Sequence, residues 1–252
     1  MHPKRIIRPV GTDIVIYQYG RLLSSNAYLK DQIGFFSPWA VVWADEQTAG
    51  HGRFSRAWHM VPGRDLAFSI LVPLAKLKTE SWPCITLVAA LAVARACDRL
   101  AISTRIKWPN DILINGSKVC GILTESICRG PDAFAVVGIG LNLNSRAKSH
   151  GVTDRPVTTI HEIIGDWTEP QIFLLEIVRN FRALFDLYVL EGFPVFVEEY
   201  NSRLAQSPQP SRISMGDREL IGRITHVNDD GSVRIIGEDG SEFDLVTGEI
   251  MY

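Results

Sequence analysis

Residues 107–123 read KWPNDILINGSKVCGIL, and this stretch carries the clearest structural signal in the chain. Asn115-Gly116 stands between two short apolar runs, a pattern typical of a two-residue hairpin turn. Such a hairpin makes Asp111 and Lys118 diagonal neighbours, roughly 7–8 Å apart on one face. A carboxylate and a cation would then face one site, although a solvated surface hairpin explains the same residues.

Outward from this hairpin, apolar periodicity predicts strands and helices on both sides. Residues 82–100 are predicted as a helix that is apolar on most faces and therefore buried. Ser24-Ser25-Asn26 offers N-cap residues for a helix that runs to about residue 33. The other predicted elements are strands at residues 14–17, 40–44, 66–72, 105–108, 111–114, 118–126 and 133–143, and helices at residues 168–190 and 194–204.

The composition changes near residue 207, where Ser-Pro-Gln-Pro-Ser is typical of a linker. Three short alternating segments follow, at residues 219–227, 232–236 and 242–246, and Asp-Asp-Gly and Glu-Asp-Gly turns separate them. About 45 residues of this kind predict a small SH3-like β-barrel. We therefore expect an α+β fold: a larger domain at residues 1–206, with a mixed sheet and packed helices, and the barrel at residues 207–252.

Residues 47–58 form a loop rich in glycine and arginine. Glycines let a backbone approach a ligand closely, and two arginines add cations suited to phosphate or carboxylate. The loop lacks the P-loop pattern, and Gly138-Ile139-Gly140 lacks the third glycine of a dinucleotide fingerprint. An anion cradle and a flexible solvated loop both fit this composition.

The bulk composition narrows the class of protein. A net charge of −2 gives no strong field for nucleic acid or anionic membranes. Residues 85–96 are too short to span a bilayer, and the N-terminus lacks the apolar segment of a signal peptide. The cysteines form no C-x-x-C pair and lie among apolar neighbours, which predicts reduced core thiols in a cytoplasmic protein. They are Cys84, Cys97, Cys120 and Cys128.

Taken together, the segments resemble the biotin–protein ligase family, which includes the biotin–[acetyl-CoA-carboxylase] ligases. KWPND followed by K-x-x-G-I-L is specific to this family, whereas the glycine loop alone would be a weak signal. The resemblance implies a class II synthetase-like catalytic fold and covers nearly the whole chain in one order. Its segments are Ser24 to Asn26, the loop ending at Trp58, Lys107 to Asp111, Lys118 to Leu123, Gly138 to Asn142, Gly216-Asp217, Gly222 and Gly248 to Ile250.

The resemblance also implies roles for individual residues. Biotin contacts are expected from Ser24, Ser25, Asn26, Gln47, Gly50, His51, Gly52, Arg53 and Lys118. ATP contacts are expected from Arg53, Arg56, Trp58, Asn110, Lys118 and Asn142. The catalytic group is expected to comprise Lys118, Arg53, Asp111 and Lys107, with Lys118 reaching the biotin carboxylate and the α-phosphate, and Asp111 meeting the acceptor lysine. Residues that would hold a metal ion are not indicated.

Some positions depart from the family pattern. Ser25 stands where the family has threonine, and its hydroxyl keeps the same hydrogen-bonding capacity. In the loop, usually G-R-G-R-x-G-R, His51 replaces the first arginine and Ser55 the last glycine. About a dozen residues precede the first predicted strand, so we expect a monofunctional ligase without the N-terminal helix-turn-helix that some relatives carry.

The expected function is adenylation of biotin with ATP and Mg²⁺, followed by transfer to a lysine of a biotin carboxyl carrier protein. We expect a monomer or homodimer without nucleic-acid or membrane partners. Two alternatives stay open: a lipoate or octanoyl carrier ligase on the same type of scaffold, and a non-catalytic biotin-binding regulatory protein. A nucleic-acid module at the C-terminus is disfavoured because residues 212–252 carry five basic against nine acidic residues.

Overall fold

The structure, a computed structural model, describes residues 1–151, 156–207, 209–215 and 218–251. The chain forms two compact units. The first comprises Met1–Lys78 and Gly116–Glu176, and the second comprises Thr79–Asn115 and Ile177–Tyr252. The expected domain boundary at residue 206 stays a prediction. Pro208 of the expected linker and Gly216-Asp217 of the family pattern lie outside the described residues.

Strands and helices alternate irregularly along the chain. The strands are β1 (Arg5–Ile7), β2 (Val15–Tyr19), β3 (Ala40–Ala44), β4 (Leu66–Pro73), β5 (Arg105–Lys107), β6 (Asp111–Ile114), β7 (Ser117–Arg129), β8 (Asp132–Leu141), β9 (Ser211–Met215), β10 (Arg218–Val227), β11 (Val233–Gly237), β12 (Glu242–Leu245) and β13 (Glu249–Met251). The helices are α1 (Ser25–Asp31), α2 (Cys84–Asp98), α3 (Ile160–Ile164), α4 (Pro170–Glu191) and α5 (Val197–Arg203).

In the first unit, strands β1, β2, β3, β4, β8 and β7 lie side by side in that order. β2 and β3 are parallel and the other neighbours are antiparallel, which confirms the expected mixed sheet. β3 and all but the last residue of β4 are fully buried, because their residues are apolar on both faces. Helix α1 packs on this sheet against β3, β4 and β8.

Local signals account for where α1 begins. Ser24 has extended backbone angles, and its hydroxyl accepts a hydrogen bond from the backbone N–H of Ala27, as expected for an N-cap residue. The Asn-Gly turn is also confirmed, since Asn115 and Gly116 both have positive φ values, 50° and 78°. Such values match the type I′ turn that this dipeptide favours.

The second unit contains α2, the β5–β6 hairpin, α5 and a separate five-stranded sheet. Helix α2 belongs to a 20-residue segment, Thr79–Asp98, whose most apolar window has a mean hydropathy of 1.2. That segment is long and apolar enough to cross a membrane by composition, but 67% of the window is buried. Burial of this extent is typical of a core helix in a globular protein, in line with the sequence prediction.

The five-stranded sheet is antiparallel, with the order β12-β11-β10-β9-β13. Within the described residues its edge strands do not pair with each other, so no closed barrel is found. The turn before β11 packs closely inside the second unit: the Trp108 indole N–H donates to Gly231 O, and the Cys84 thiol donates to Asp230 O. Gly231 has a φ of 81°, and a side chain there would meet the Cys84 sulfur.

Several sequence predictions need correction. Strands β1, β9 and β13 and helix α3 were not expected, and residues 194–196 form a 3-10 turn that precedes α5. Cys128 is exposed rather than part of the core, because it lies at the end of β7 where the strand leaves its buried neighbours. The other cysteines are buried, and burial raises the pKa of Cys84 to about 11 and that of Cys97 to about 12.

Candidate active site

The segments that carry Ser25 and Gln47 are joined by backbone hydrogen bonds. The N–H of Leu22 donates to Glu46 O, and the N–H of Thr48 donates to Leu22 O. This pairing brings the start of α1 beside Gln47, whose Oε1 accepts the backbone N–H of Ser25 at 2.6 Å. The Oε1 atom of Gln47 is therefore occupied by a hydrogen bond within the protein, and its Nε2 group can donate to a ligand.

The side-chain amide of Asn26 contacts three neighbouring strands of the sheet. Ser69 on β4 and Leu123 on β7 are both register partners of Gly138 on the intervening strand β8. The Asn26 amide occupies the space above Gly138, where any side chain would overlap it. Its Oδ1 lies 2.5 Å from Ser69 Oγ, and its Nδ2 lies 3.3 Å from Leu123 O. The first glycine of Gly138-Ile139-Gly140 is therefore required by packing.

Glu125 and Lys30 complete the polar contacts around Asn26. Glu125 Oε2 accepts from Asn26 Nδ2 at 2.8 Å, and its other oxygen accepts from Lys30 Nζ at 2.6 Å. Burial raises the pKa of Glu125, but the hydrogen bonds from Lys30 and Asn26, with the nearby charges of Lys30 and His51, outweigh it and hold the pKa below its usual range. Glu125 is therefore an ionised carboxylate at neutral pH.

The glycine and arginine loop folds back on itself as a short hairpin. His51 pairs with Ala57, the N–H of Gly52 donates to Arg56 O, and the N–H of Trp58 donates to Gly50 O. Gly50 is buried, and a side chain there would press on the Gln47 amide and on Trp58 O. The loop is thus an organised turn, unlike the flexible solvated loop that composition alone permitted.

Phe54 and Ser55 form the tip of this hairpin, both with left-handed backbone angles, φ 54° and 57°. The guanidinium groups of Arg53 and Arg56 lie over the exposed Phe54 ring, at 5.0 and 5.8 Å from its centroid. The family's usual glycine at position 55 suits this conformation, because a non-glycine residue there costs about 1–2 kcal/mol. Replacing the family's glycine with Ser55 therefore destabilises this backbone conformation by that amount.

The Trp58 indole lies on a second row of small residues across the same strands. Gly140 on β8 has Ala67 and Gly121 as register partners, and a side chain at Gly140 would overlap the indole. The ammonium of Lys118 lies 5.7 Å from the Trp58 ring centroid, within cation–π range. Among the described residues, no acceptor lies within hydrogen-bonding distance of the buried Trp58 Nε1.

Asn142 and Lys118 are tied to the segment that precedes α3. The N–H of Lys118 donates to Pro156 O, and the Asn142 amide donates to Thr158 O at 3.1 Å. Asn142 is buried, and its Oδ1 has no hydrogen-bond partner in the described part of the chain. The nucleotide end of the predicted site therefore contains two buried polar atoms, on Trp58 and Asn142, that a ligand could satisfy.

Lys107, Asn110 and Asp111 belong to the second unit, at the β5–β6 hairpin. The turn contains a cis Trp108-Pro109 bond, and Lys107 and Asp111 are register partners. The two residues are only 5% and 6% exposed. Burial excludes the solvated surface hairpin for these two residues, whereas the expected proximity of Asp111 to Lys118 stays a prediction.

The first unit thus gathers most of the predicted site residues: Ser24, Ser25, Asn26, Gln47, the loop with Gly50, His51, Gly52, Arg53 and Arg56, then Trp58, Lys118 and Asn142. Sequence reasoning missed Ser69, Glu125 and Lys30. Ser69 is a polar residue inside the apolar strand β4, and that contrast was a usable signal. Among the described residues, no group of three or more His, Cys, Asp and Glu side chains is placed to hold a metal ion.

Comparison with known proteins identifies similar chains. Residues 19–142 match the Biotin/lipoate A/B protein ligase family. A Paracoccus denitrificans protein named biotin--[acetyl-CoA-carboxylase] ligase is 34% identical over 231 residues, which make up 87% of this chain and 93% of that protein. The bifunctional ligase/repressor BirA of Bacillus spizizenii is 31% identical over 207 residues, which make up 79% of this chain and 62% of the relative. The chain spans less than two thirds of that second relative's length.

Solved structures show the same fold. The biotin protein ligase from Aquifex aeolicus in complex with biotin and ATP aligns with a TM-score of 0.80 and 25% identity. The alignment covers 95% of this chain and 98% of that one. The mixed sheet and the C-terminal antiparallel sheet match the fold of biotin protein ligases.

Proposed function

Because the chain belongs to the biotin–protein ligase family, we propose that it adenylates biotin with ATP and transfers the biotinyl group to a lysine of a biotin carboxyl carrier protein. One observation carries this proposal. The Ser25–Asn26 contacts and the Trp58–Lys118 contacts rest on adjacent rows of one sheet face, at Gly138 and Gly140. Residues two apart on a strand point to the same face, about 7 Å from each other. Two reactants bound there would lie side by side.

Biotin is proposed to bind at the Gly138 row. The Ser25 hydroxyl and the Gln47 Nε2 group are the polar groups available for its ureido ring, with Ser24 and Asn26 fixing the start of α1. Its carboxylate would lie along the loop, where the backbone from Gly50 to Arg53 and the Arg53 guanidinium supply donors.

ATP is proposed to bind at the Gly140 row. Trp58, a half-buried residue, would offer the flat face of its indole to the base, and Asn142 Oδ1 would offer an acceptor to an exocyclic amine. Lys118, Arg53 and Arg56 would hold the phosphates, and Asn110 of the second unit keeps the nucleotide role that the family pattern implies. Mg²⁺ would enter on the phosphates of ATP, since Mg²⁺ commonly binds through substrate phosphates rather than an all-protein cage.

In the first step, a carboxylate oxygen of biotin attacks the α-phosphorus of ATP. The bond to the β-phosphate breaks, pyrophosphate leaves, and biotinyl-AMP forms. Negative charge is concentrated on the oxygens around the phosphorus, so the ammonium of Lys118 and the guanidinium of Arg53 stabilise the transition state. Holding both anions in place contributes much of the remaining acceleration.

In the second step, the neutral amine of the acceptor lysine attacks the biotinyl carbonyl carbon. An amide bond forms, the bond to the phosphate oxygen breaks, and AMP leaves. We assign Asp111 to accept or orient the proton of the incoming amine. Lys107, which also belongs to the second unit, is assigned to shape the same part of the site. Both residues are buried, so bulk water has little access to them.

We also propose the domain architecture, the oligomeric state and the cellular location of the protein. The family resemblance supports a class II synthetase-like catalytic domain at residues 1–206 and an SH3-like barrel formed by the C-terminal sheet at residues 207–252. It also supports a cytoplasmic monomer or homodimer that meets its carrier protein without nucleic-acid or membrane partners.

The proposal is tested by ATP–pyrophosphate exchange with purified protein, Mg²⁺ and either biotin or lipoate. Exchange that depends on biotin, followed by a mass increase of one biotinyl group on a carrier domain, is the expected result. Exchange with lipoate alone would assign the chain to the lipoate branch of the family. Biotin binding without exchange would make it a binding or regulatory protein.

A further inference from the structure

A continuous chain of hydrogen bonds links Lys30, Glu125, Asn26, Ser69 and Ser25 in the first unit. We propose that Glu125 is a positioning residue that fixes the hydrogen-bond polarity of the Ser25 hydroxyl, and so the part of the ligand that Ser25 recognises. The proposal rests on the proposed function, because it specifies how the biotin end of that site is oriented.

The atoms around the Asn26 amide determine its orientation. Glu125 Oε2 and Leu123 O both lie on one side of it, at 2.8 and 3.3 Å. An ionised carboxylate and a carbonyl oxygen accept hydrogen bonds and donate none. The amide must therefore direct its Nδ2 hydrogens toward them, which leaves Oδ1 facing Ser69.

The orientation then passes through two hydroxyl groups. Ser69 is fully buried, and its single proton goes to Asn26 Oδ1 at 2.5 Å. Ser69 Oγ lies 2.7 Å from Ser25 Oγ, and with its own proton engaged it acts there as the acceptor. The Ser25 proton consequently points inward, and the lone pairs of Ser25 Oγ face the ligand side. Ser25 is thereby set to accept a hydrogen bond.

The neighbouring Gln47 has the opposite polarity. Its Oε1 accepts from the Ser25 backbone N–H, so its Nε2 group is the half that can donate to a ligand. An acceptor beside a donor matches an N–H next to a carbonyl, which is the edge of a cyclic urea. The relay thus gives a physical reason for selecting the ureido ring of biotin.

Lys30 makes the relay sensitive to the charge of Glu125. In a Glu125→Gln variant, Lys30 draws the single amide oxygen toward itself, and the new Nε2 group then faces Asn26 Nδ2. Two donors oppose each other, and rotating Asn26 to avoid this brings its Oδ1 against Leu123 O. Adding Lys30→Met to that variant removes the competition, so the introduced amide oxygen can accept from Asn26 again.

The test measures biotin affinity by calorimetry for the wild type, Glu125→Gln, Lys30→Met and the double variant. We expect Glu125→Gln to weaken biotin binding about tenfold, because removing one good polar contact costs about 1.4 kcal/mol. Lys30→Met leaves the Glu125 carboxylate and its bond to Asn26 in place, so it should weaken biotin binding less than Glu125→Gln does. The double variant should recover most of the affinity that Glu125→Gln loses. Asp186→Asn, which removes a carboxylate from the exposed pair with Arg182, is the matched control.

Equal losses in Glu125→Gln and Lys30→Met, with no recovery in the double variant, would show a simple structural ion pair and overturn the proposal. So would unchanged affinity in Glu125→Gln. ATP affinity, measured in parallel, reports whether each variant is folded and should not change. A wild-type protein that fails to bind biotin would instead refute the proposed function, so the two failures are distinct.

Discussion

The two glycine rows of the sheet differ in how their polar groups are satisfied. At the Gly138 row, both amide hydrogens of Asn26 and its oxygen are bonded inside the protein. Trp58 Nε1 at the Gly140 row, and Asn142 Oδ1 just beyond the end of β8, are buried without hydrogen-bond partners among the described residues. Leaving a buried polar atom unpaired costs about 1–3 kcal/mol. The Asn26 amide is therefore satisfied within the protein, whereas Trp58 and Asn142 each keep a buried polar atom that a ligand could satisfy.

The largest expected effect on activity is at Lys118, whose ammonium lies near Trp58 at the Gly140 row. Lys118→Met should lower the rate of biotin-dependent pyrophosphate exchange about 1000-fold, because it removes a preorganised cation from the developing phosphate charge. Biotin affinity should fall much less than the rate. Lys148→Met, at an exposed lysine of the first unit, is the control. A loss of similar size in that control would show an unspecific effect of charge.

A second prediction separates the two rows through their glycines. Gly138→Ala should weaken biotin binding, and Gly140→Ala should weaken ATP binding, each about tenfold to hundredfold, since the added methyl group displaces Asn26 or Trp58. Calorimetry with each ligand measures both effects. Gly20→Ala is the control, because a side chain there meets nothing within 4 Å. If either variant weakened both ligands equally, the rows would not act separately.

A third prediction addresses the unpaired indole nitrogen. Trp58→Phe keeps an aromatic surface but removes the Nε1 donor, and we expect ATP affinity to fall about tenfold. Trp82→Phe is a matched control, since its Nε1 is also buried without a partner among the described residues but lies in the second unit. Unchanged ATP affinity in Trp58→Phe would mean that the indole N–H does not contact the nucleotide.

The smallest expected effect is at His51, where the family has arginine. The His51 side chain is exposed and its backbone pairs with Ala57, so backbone groups of the loop are expected to supply most of the anion contacts. His51→Arg should therefore change ATP affinity less than tenfold. His59→Arg, at a neighbouring exposed histidine, controls for added charge. A larger change at position 51 alone would show that the side chain itself binds phosphate.

Features that depend on a few adjacent residues were predictable from the sequence. Local chemistry predicted the Asn-Gly turn and the start of α1, because φ preferences and capping act over short distances along the chain. Most strands were predicted within a few residues, because apolar runs and alternation are also local patterns. β1, β9 and β13 were missed, and length alone does not explain this, since β5 and β6 are as short and were predicted.

The sequence by itself determined the family, the motif residues and their chemical types. The tertiary structure decided how these residues act on one another. Ser69 lies 43 positions from Asn26, and Glu125 lies 95 positions from Lys30. Periodicity in the sequence cannot predict contacts between residues this far apart. The pairing of strands β4, β8 and β7 brings them together. In the folded sheet, the side chains of Asn26 and Trp58 occupy the space that a side chain at Gly138 or Gly140 would fill. The weak glycine motif did not predict this packing, because the neighbouring side chains come from distant parts of the chain.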